Sequence, residues 1–276
     1  PVVKSSFLCK RPEDVTLNLR KAFYIASTGR KGPVVVDIPK NCQEPRYRFA
    51  YEPNSEIHLR SYNPTVTGHR GQVRRAVKAI CAARRPVLLC GGGVVQADAA
   101  EELRELAGRL NLPVAVTLMG IGAFPAASPQ YLGMVGLHGL YEANLAMHHS
   151  DLVFTVAVRF DDRVTNSVPK FCPEAQIVHI DVDPASISKC VHADIPIVGD
   201  ARAVLRQLLA ELDEHKEPHK PDLGSWWEQI GAWRAQGRAM NMKKQPAGTG
   251  IAPQQVLTEL GALTEGRDDV FFTTDV

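Results

Sequence analysis

The chain has 276 residues, 32 Lys and Arg against 30 Asp and Glu, a net charge of +2, and 45% hydrophobic residues. That length suits about two domains, the charge balance gives no electrostatic reason to bind nucleic acid or an anionic membrane, and the apolar fraction excludes wholesale disorder. No apolar run approaches the roughly 18 residues of a membrane span, and the start shows no signal-peptide pattern.

In chain order, residues 12–28 have helical spacing (Val15, Leu19, Ala22, Phe23, Ala26), with Pro12 suited to a first helical position. A break at 29–33 leads into a β-branched strand at 34–38. One helix and one strand cannot close a core, so residues 1–45 read as the end of a domain. Residues 46–70 are polar and dotted with Pro and Tyr, a linker. From 71 the alternation becomes regular: helix 71–83, strand 86–90, three glycines, helix 97–110, strand 113–118 and a Gly/Pro loop. There follow helix 140–149, strands 152–158 and 176–181, a short helix, strand 195–198 and helix 201–212. The spacing predicts an α/β fold, a doubly wound Rossmann-like parallel sheet over 71–215, with strands apolar on both faces. Residues 216–250 read as a linker with a short Trp-rich helix (Trp226, Trp227, Trp233). Residues 251–276 read as the opening of a third domain, a helix at 253–263 and a strand at 270–276. The half-built flanks suggest a segment of a longer protein.

Six cysteines without a CxxC pair read as scattered core thiols of a reducing, cytoplasmic setting. Gly91-Gly92-Gly93 stands between a strand and a helix, where a phosphate can approach backbone N–H groups; a tight turn is the other reading. GGGVVQ fails the GxGxxG pattern, and no acidic residue ends the next strand, so a standard NAD fingerprint is disfavoured. Asp181, Asp183 and Asp200 fall at strand ends, on the ligand edge of such a sheet, although Asp183 before Pro184 also suits a cap. Arg159-Phe160-Asp161-Asp162-Arg163 offers either a surface ion-pair network or a guanidinium fork for phosphate or carboxylate. His138 lies between small residues, His148 and His149 point to different helix faces, and neither zinc spacing nor GxSxG occurs.

GRKGPVVVDIPK (29–40), RPVLLCGGG (85–93), TLMGIGAFP (117–125), LGMVGLHG (132–139), RFDDR (159–163), IVHIDVDP (177–184) and IPIVGD (195–200) stand in one order. Together they resemble the large catalytic subunits of the bacterial acetolactate (acetohydroxyacid) synthase family, along nearly the whole chain. Glyoxylate carboligase is the nearest confusable relative, and a stand-alone FAD or nucleotide-binding module is the competing reading. The resemblance implies a pyrimidine-binding domain ending near 45, a central FAD-binding domain and the start of a diphosphate-binding domain. It implies FAD, thiamine diphosphate and Mg²⁺, and a homodimer or tetramer with a regulatory small subunit. The implied reaction joins pyruvate to a second 2-oxoacid with loss of CO₂, for branched-chain amino acids.

The resemblance assigns Arg30, Gly92, Thr117, Leu118, Val135, Gly136, Leu137, His138, Ala157, Val158, Arg159, Phe160, Asp161, Asp181, Val182, Asp200 and Ala201 to FAD. Arg163 would clamp the second substrate's carboxylate, with Asp162 beside it and Lys40 near the mouth of the active-site channel. Leu137 replaces a usual Met, and Ala157 a usual Gly, which adds a methyl near the flavin nucleotide. The activating Glu and the GDG segment that holds Mg²⁺ fall outside these residues, so the segment alone is expected to be inactive and to carry no metal ligands.

Overall fold

The computed structural model describes residues 2–44, 57–214, 221–241 and 250–273. Strand β1 (Ser5–Leu8), helix α1 (Asp14–Ser27) and strand β2 (Val34–Asp37) form a parallel βαβ unit, in register from Ser5↔Val34 to Leu8↔Asp37. Sequence reasoning missed β1: four residues, two of them Ser, carry too little apolar signal.

The remaining elements build a six-stranded parallel sheet. After α2 (Arg70–Ala82) come β3 (Pro86–Cys90), α3 (Gly92–Gln96), α4 (Ala100–Leu110), β4 (Val114–Val116), β5 (Tyr131–Met134) and α5 (Tyr141–His149). Then β6 (Leu152–Val156), α6 (Asp162–Thr165), β7 (Gln176–Asp181), β8 (Ile195–Val198) and α7 (Ala201–Glu214) complete it. The order β5-β4-β3-β6-β7-β8 is the doubly wound arrangement expected, with β3 and β6 central. Every residue of β3, β4 and β6 is buried, which is why they read as unbroken apolar runs. Helix α7 packs between α2 and α4, and the layer is tied by charge: Arg202 and Arg206 both bind Glu102 Oε1, at 2.8 and 2.9 Å. Burial pushes the Glu102 carboxyl up, but the hydrogen bonds from Arg202, its backbone and Arg206 outweigh it and hold the group below its ordinary range.

Several expectations need correction. The helix expected at 97–110 is α4, which starts only at Ala100 after Asp98 at φ +52°, and a separate short helix, α3, takes up Gly92–Gln96 ahead of it. The Gly/Pro loop contains β5, an edge strand hidden by Pro125, Pro129 and Gly133. No helix separates β7 from β8; turns fill that stretch, with Ser188 at φ +56°. Residues 270–273 form no strand, and 274–276 lie outside the described residues.

The Trp-rich helix, expected to be short, is α8 (Gly224–Asn241), 18 residues long. It docks on the amino-terminal side of the sheet. Trp226 Nε1 donates to Pro86 O at 3.1 Å, Trp227 Nε1 to Asn111 O at 3.0 Å, and Arg234 Nη2 to Tyr131 O at 2.6 Å. Helix α9 (Pro253–Thr264) follows, with Val256, Leu257, Leu260 and Leu263 exposed. Among the described residues no helix is long and apolar enough to cross a membrane.

Candidate functional site

Where strand order reverses, the loops at the carboxyl ends of the strands separate and leave a crevice. Here the reversal lies between β3 and β6. A shallow cleft, partly open to solvent, is lined there by Gly93, Gln96, Ala157, Asp181, Val182, Gly199, Asp200 and Ala201, with Gly29 and Lys31 from the N-terminal unit.

The three glycines after β3 are required by packing alone. A Cβ at Gly91 would lie 2.1 Å from Ala157 O, at Gly92 2.8 Å from Met119 Cβ, and at Gly93 2.5 Å from Ala157 Cβ. The tight-turn reading therefore explains them without a ligand. Ala157 itself stands at φ +53°, a left-handed conformation that disfavours a side chain.

The N-terminal unit reaches the cleft through a braced loop. Lys4 Nζ donates to Ile25 O at 2.5 Å and Thr28 O at 2.6 Å, satisfying carbonyls at the end of α1, and lies 2.7 Å from Tyr62 Oη. Beyond it Gly29 turns at φ +57°. Arg30 then pairs with Asp183 Oδ2 at 3.1 Å, and Lys31 Nζ donates to Gln96 O at 2.6 Å.

The carboxylates divide their work. Asp181 is buried, its Oδ1 accepts Asp183 N at 2.8 Å, and burial pushes its carboxyl up. Asp183 closes a turn by accepting Ala185 N at 3.0 Å and also holds Arg30. Asp200 accepts Ala203 N at 3.1 Å, which makes it the cap of α7.

In the arginine cluster, Arg159 pairs with Asp161 Oδ2 at 2.6 Å, an exposed contact. Asp161 Oδ1 accepts Asp162 N, and Asp162 Oδ1 accepts Arg163 N, so the two carboxylates start α6. Hydrogen bonding with Asp162, then with Arg159, holds Asp161 below the usual carboxylate range. Arg163 is exposed, and no acidic side chain among the described residues pairs with it. Val158 and Phe160 are buried, so only their backbone can face a ligand.

Thr117, Leu118, Val135, Gly136, Leu137 and His138 lie past the ends of β4 and β5. Asn144 holds this loop by accepting Gly136 N at 2.8 Å and donating to Gly136 O at 3.0 Å. Leu137 N donates to Arg163 O at 2.9 Å, which sets the loop beside α6. Leu118, Met119 and Leu137 expose apolar surface there, 49%, 73% and 71% of each. His138 borders a separate hollow with Tyr141 and Met240, and Lys40, in the 3₁₀ turn Lys40–Gln43, is exposed and does not line the cleft.

The structure thus gathers Ala157, Asp181, Val182, Asp200 and Ala201 at one cleft, with Arg30 latched across it, and sets the β4–β5 loops beside Arg163. Sequence reasoning missed Lys4, Tyr62, Asn144 and His179. Lys4 acts on Tyr62 58 positions away and His179 on Val158 21 positions away, so no local pattern marks them, and Asn144 bonds only backbone, eight positions back at Gly136.

Residues 73–208 match the family described as thiamine pyrophosphate enzyme, central domain. The chain is 51% identical over 267 residues to the acetolactate synthase large subunit of Haemophilus influenzae, covering 97% of this chain and 46% of that one. It is 50% identical over 278 residues to the acetolactate synthase isozyme 3 large subunit of Escherichia coli, covering 100% and 47%. With the acetolactate synthase of Mycobacterium bovis it shares 43% over 272 residues, covering 98% and 43%. The chain spans a little under half the length of these relatives.

Proposed function

We propose that the chain, whose residues 73–208 match the central domain of thiamine pyrophosphate enzymes, is part of an acetolactate synthase large subunit. The whole enzyme then condenses pyruvate with pyruvate or 2-oxobutyrate, losing CO₂, in branched-chain amino acid biosynthesis. It works in the cytoplasm, as a homodimer or tetramer with a regulatory small subunit. The observation that carries this reading is an identity near one half sustained over 97–100% of the chain, flanks included.

The cleft between β3 and β6 is read as the FAD site, and the donor set fits that group. Asp181 offers a carboxylate oxygen for adenosine hydroxyls, and the first amides of α7 lie beside Ala201 in the cleft wall. Arg30 and Lys31 supply cations for a pyrophosphate. Exposed Leu118, Met119 and Leu137 supply an apolar seat for a planar ring. The 2-oxoacid carboxylate is assigned to Arg163, whose guanidinium can bind both oxygens while Asp162 fixes the turn beneath it. Lys40 is assigned to the mouth of the channel. Thiamine diphosphate with Mg²⁺ supplies the electron sink for decarboxylation, and this chain's own residues seat the flavin and orient the acceptor.

Two measurements test the reading: quenching of flavin fluorescence on titration with the intact protein, and acetolactate formation from pyruvate. Arg163→Gln should raise KM for the acceptor 2-oxoacid by about 10- to 100-fold, as loss of a charged hydrogen-bonding partner does. A protein that neither quenches flavin nor forms acetolactate contradicts it.

A further inference from the structure

His179, near the end of β7, has no exposed surface. Its Nε2 lies 2.9 Å from the Val158 carbonyl, so the proton sits on Nε2 and is donated there. Nδ1 is left as a buried acceptor with no partner among the described residues. The imidazole meets the Phe160 ring edge-on at 4.9 Å and 83°, and Phe160 meets Phe171 edge-on at 5.9 Å and 81°.

These contacts converge on the turn that follows β6. The β6–β7 ladder pairs through Val156↔Ile180, and Ala157 N makes one more bond, to Ile180 O at 2.8 Å. Val158 and Phe160 come after it, on either side of Arg159. Ala157 and Phe160 both stand at φ +53°. Left-handed backbone of this kind persists where the surroundings over-determine it, and His179 supplies a hydrogen bond and an aromatic contact to the two residues that flank Arg159. A residue needed only to fill space would be apolar; an imidazole with an orphaned Nδ1 is kept for its other nitrogen.

We propose that His179 is a positioning residue whose imidazole holds the 157–161 turn in the geometry that presents Arg159 and the turn's backbone to an anionic nucleotide ligand. The identity of that ligand rests on the FAD reading above; the hold on the turn does not. Asp181 Oδ2, 3.9 Å from Nε2, is too distant to compete with Val158 for the proton.

The test compares His179→Leu and His179→Gln with the unsubstituted intact protein, by hydrogen exchange with mass spectrometry and by FAD titration. In His179→Leu, amides at 157–165 should exchange at least about 10-fold faster while a peptide spanning 86–90 is unchanged, which marks local opening. FAD should bind roughly 10-fold more weakly. The Gln side-chain amide can reach the same carbonyl and should restore both readouts. The proposal fails if the turn exchanges at the unsubstituted rate in His179→Leu, if turn and sheet accelerate together, or if Gln behaves as Leu does. An unsubstituted protein that leaves flavin fluorescence unchanged refutes the FAD reading, and the exchange comparison then decides the role of His179 by itself.

Discussion

Ala157 carries its methyl group at φ +53° and aims it at Gly93, where a second Cβ would stand 2.5 Å away. The two positions therefore form one packing unit. Gly93→Ala alone should destabilise by about 2 kcal/mol or more, through overpacking against the Ala157 methyl. Adding Ala157→Gly should recover at least about 1 kcal/mol, a coupling that a double-mutant cycle in urea would measure. Additive effects would show that the strand ends separate more easily than their spacing indicates. His179 gives a second prediction at this scale. Burial, opposed by the Val158 hydrogen bond, takes its pKa from 6.5 down to about 4. The unfolded chain therefore binds the proton first as pH falls. Stability is complete above about pH 6.5 and declines toward pH 4 by about 3 kcal/mol, from 1.36 kcal/mol per unit. Asp181, raised by burial, acts oppositely: its contribution is present below its unfolded pKa and fades as pH rises through the folded one. Urea titrations at pH 7, 5.5 and 4 should show the decline, and His179→Gln should flatten it. Ala157 was legible in the sequence as a departure from a family pattern. Its left-handed φ, and the orphaned Nδ1 of His179, were not, because both depend on strands more than 20 residues apart meeting in register.

Elements were legible where a single physical signal dominated. Strands β3, β6 and β7 declare themselves as apolar runs because both faces are covered, and α7 declares itself by its periodic Val204, Leu205, Leu208 and Leu212. Strand β5 does not, since Gly133 at φ +91° and the flanking prolines are loop signals that sheet pairing overrides. Helix α8 was under-read for a different reason: its tryptophans do not mark a strong face, and their work is to hand N–H groups to Pro86 O at the start of β3 and to Asn111 O at the end of α4. Trp226→Phe keeps most of the ring but strands Pro86 O in a buried place. It should cost about 1–3 kcal/mol, whereas Trp227→Phe, at a more exposed site, should cost less than about 1 kcal/mol. Chemical denaturation of the two variants would check the ranking, and equal losses would count against α8 as a clamp on the amino edge. The loop that reaches the cleft is braced in the same way, by an element distant in sequence. Lys4→Met removes donors from Ile25 O and Thr28 O and frees Gly29 to Lys31. FAD affinity should fall several-fold while the melting of the central sheet, followed through Trp226 fluorescence, stays within about 1 kcal/mol of the unsubstituted protein.

At the scale of the whole molecule, two bodies meet along a polar seam. Arg30–Asp183 is a partly exposed pair, with side chains 57% and 24% accessible, and Lys31–Gln96 O is an exposed hydrogen bond. Exposed contacts of this kind are each worth about 0–1 kcal/mol and weaken with salt. The βαβ unit is thus held lightly over a cleft whose other walls belong to the rigid sheet. A ligand touching both bodies would add what the seam lacks. Binding to the folded state alone stabilises by RT ln(1 + [L]/Kd), about 2.7 kcal/mol at a hundredfold excess over Kd. Saturating FAD should therefore raise the melting temperature, and the rise should shrink in a double variant, Arg30→Gln with Lys31→Gln, tested at the same FAD concentration. The decisive comparison is ionic strength. If the seam and the flavin pyrophosphate share these two cations, 0.5 M salt should lower FAD affinity in the unsubstituted protein and lower it clearly less in the double variant, where Arg159 remains. Equal salt dependence in both would place the charge-sensitive contacts in the sheet, at Arg159 and the α7 terminus, and reduce the 29–31 loop to a cover.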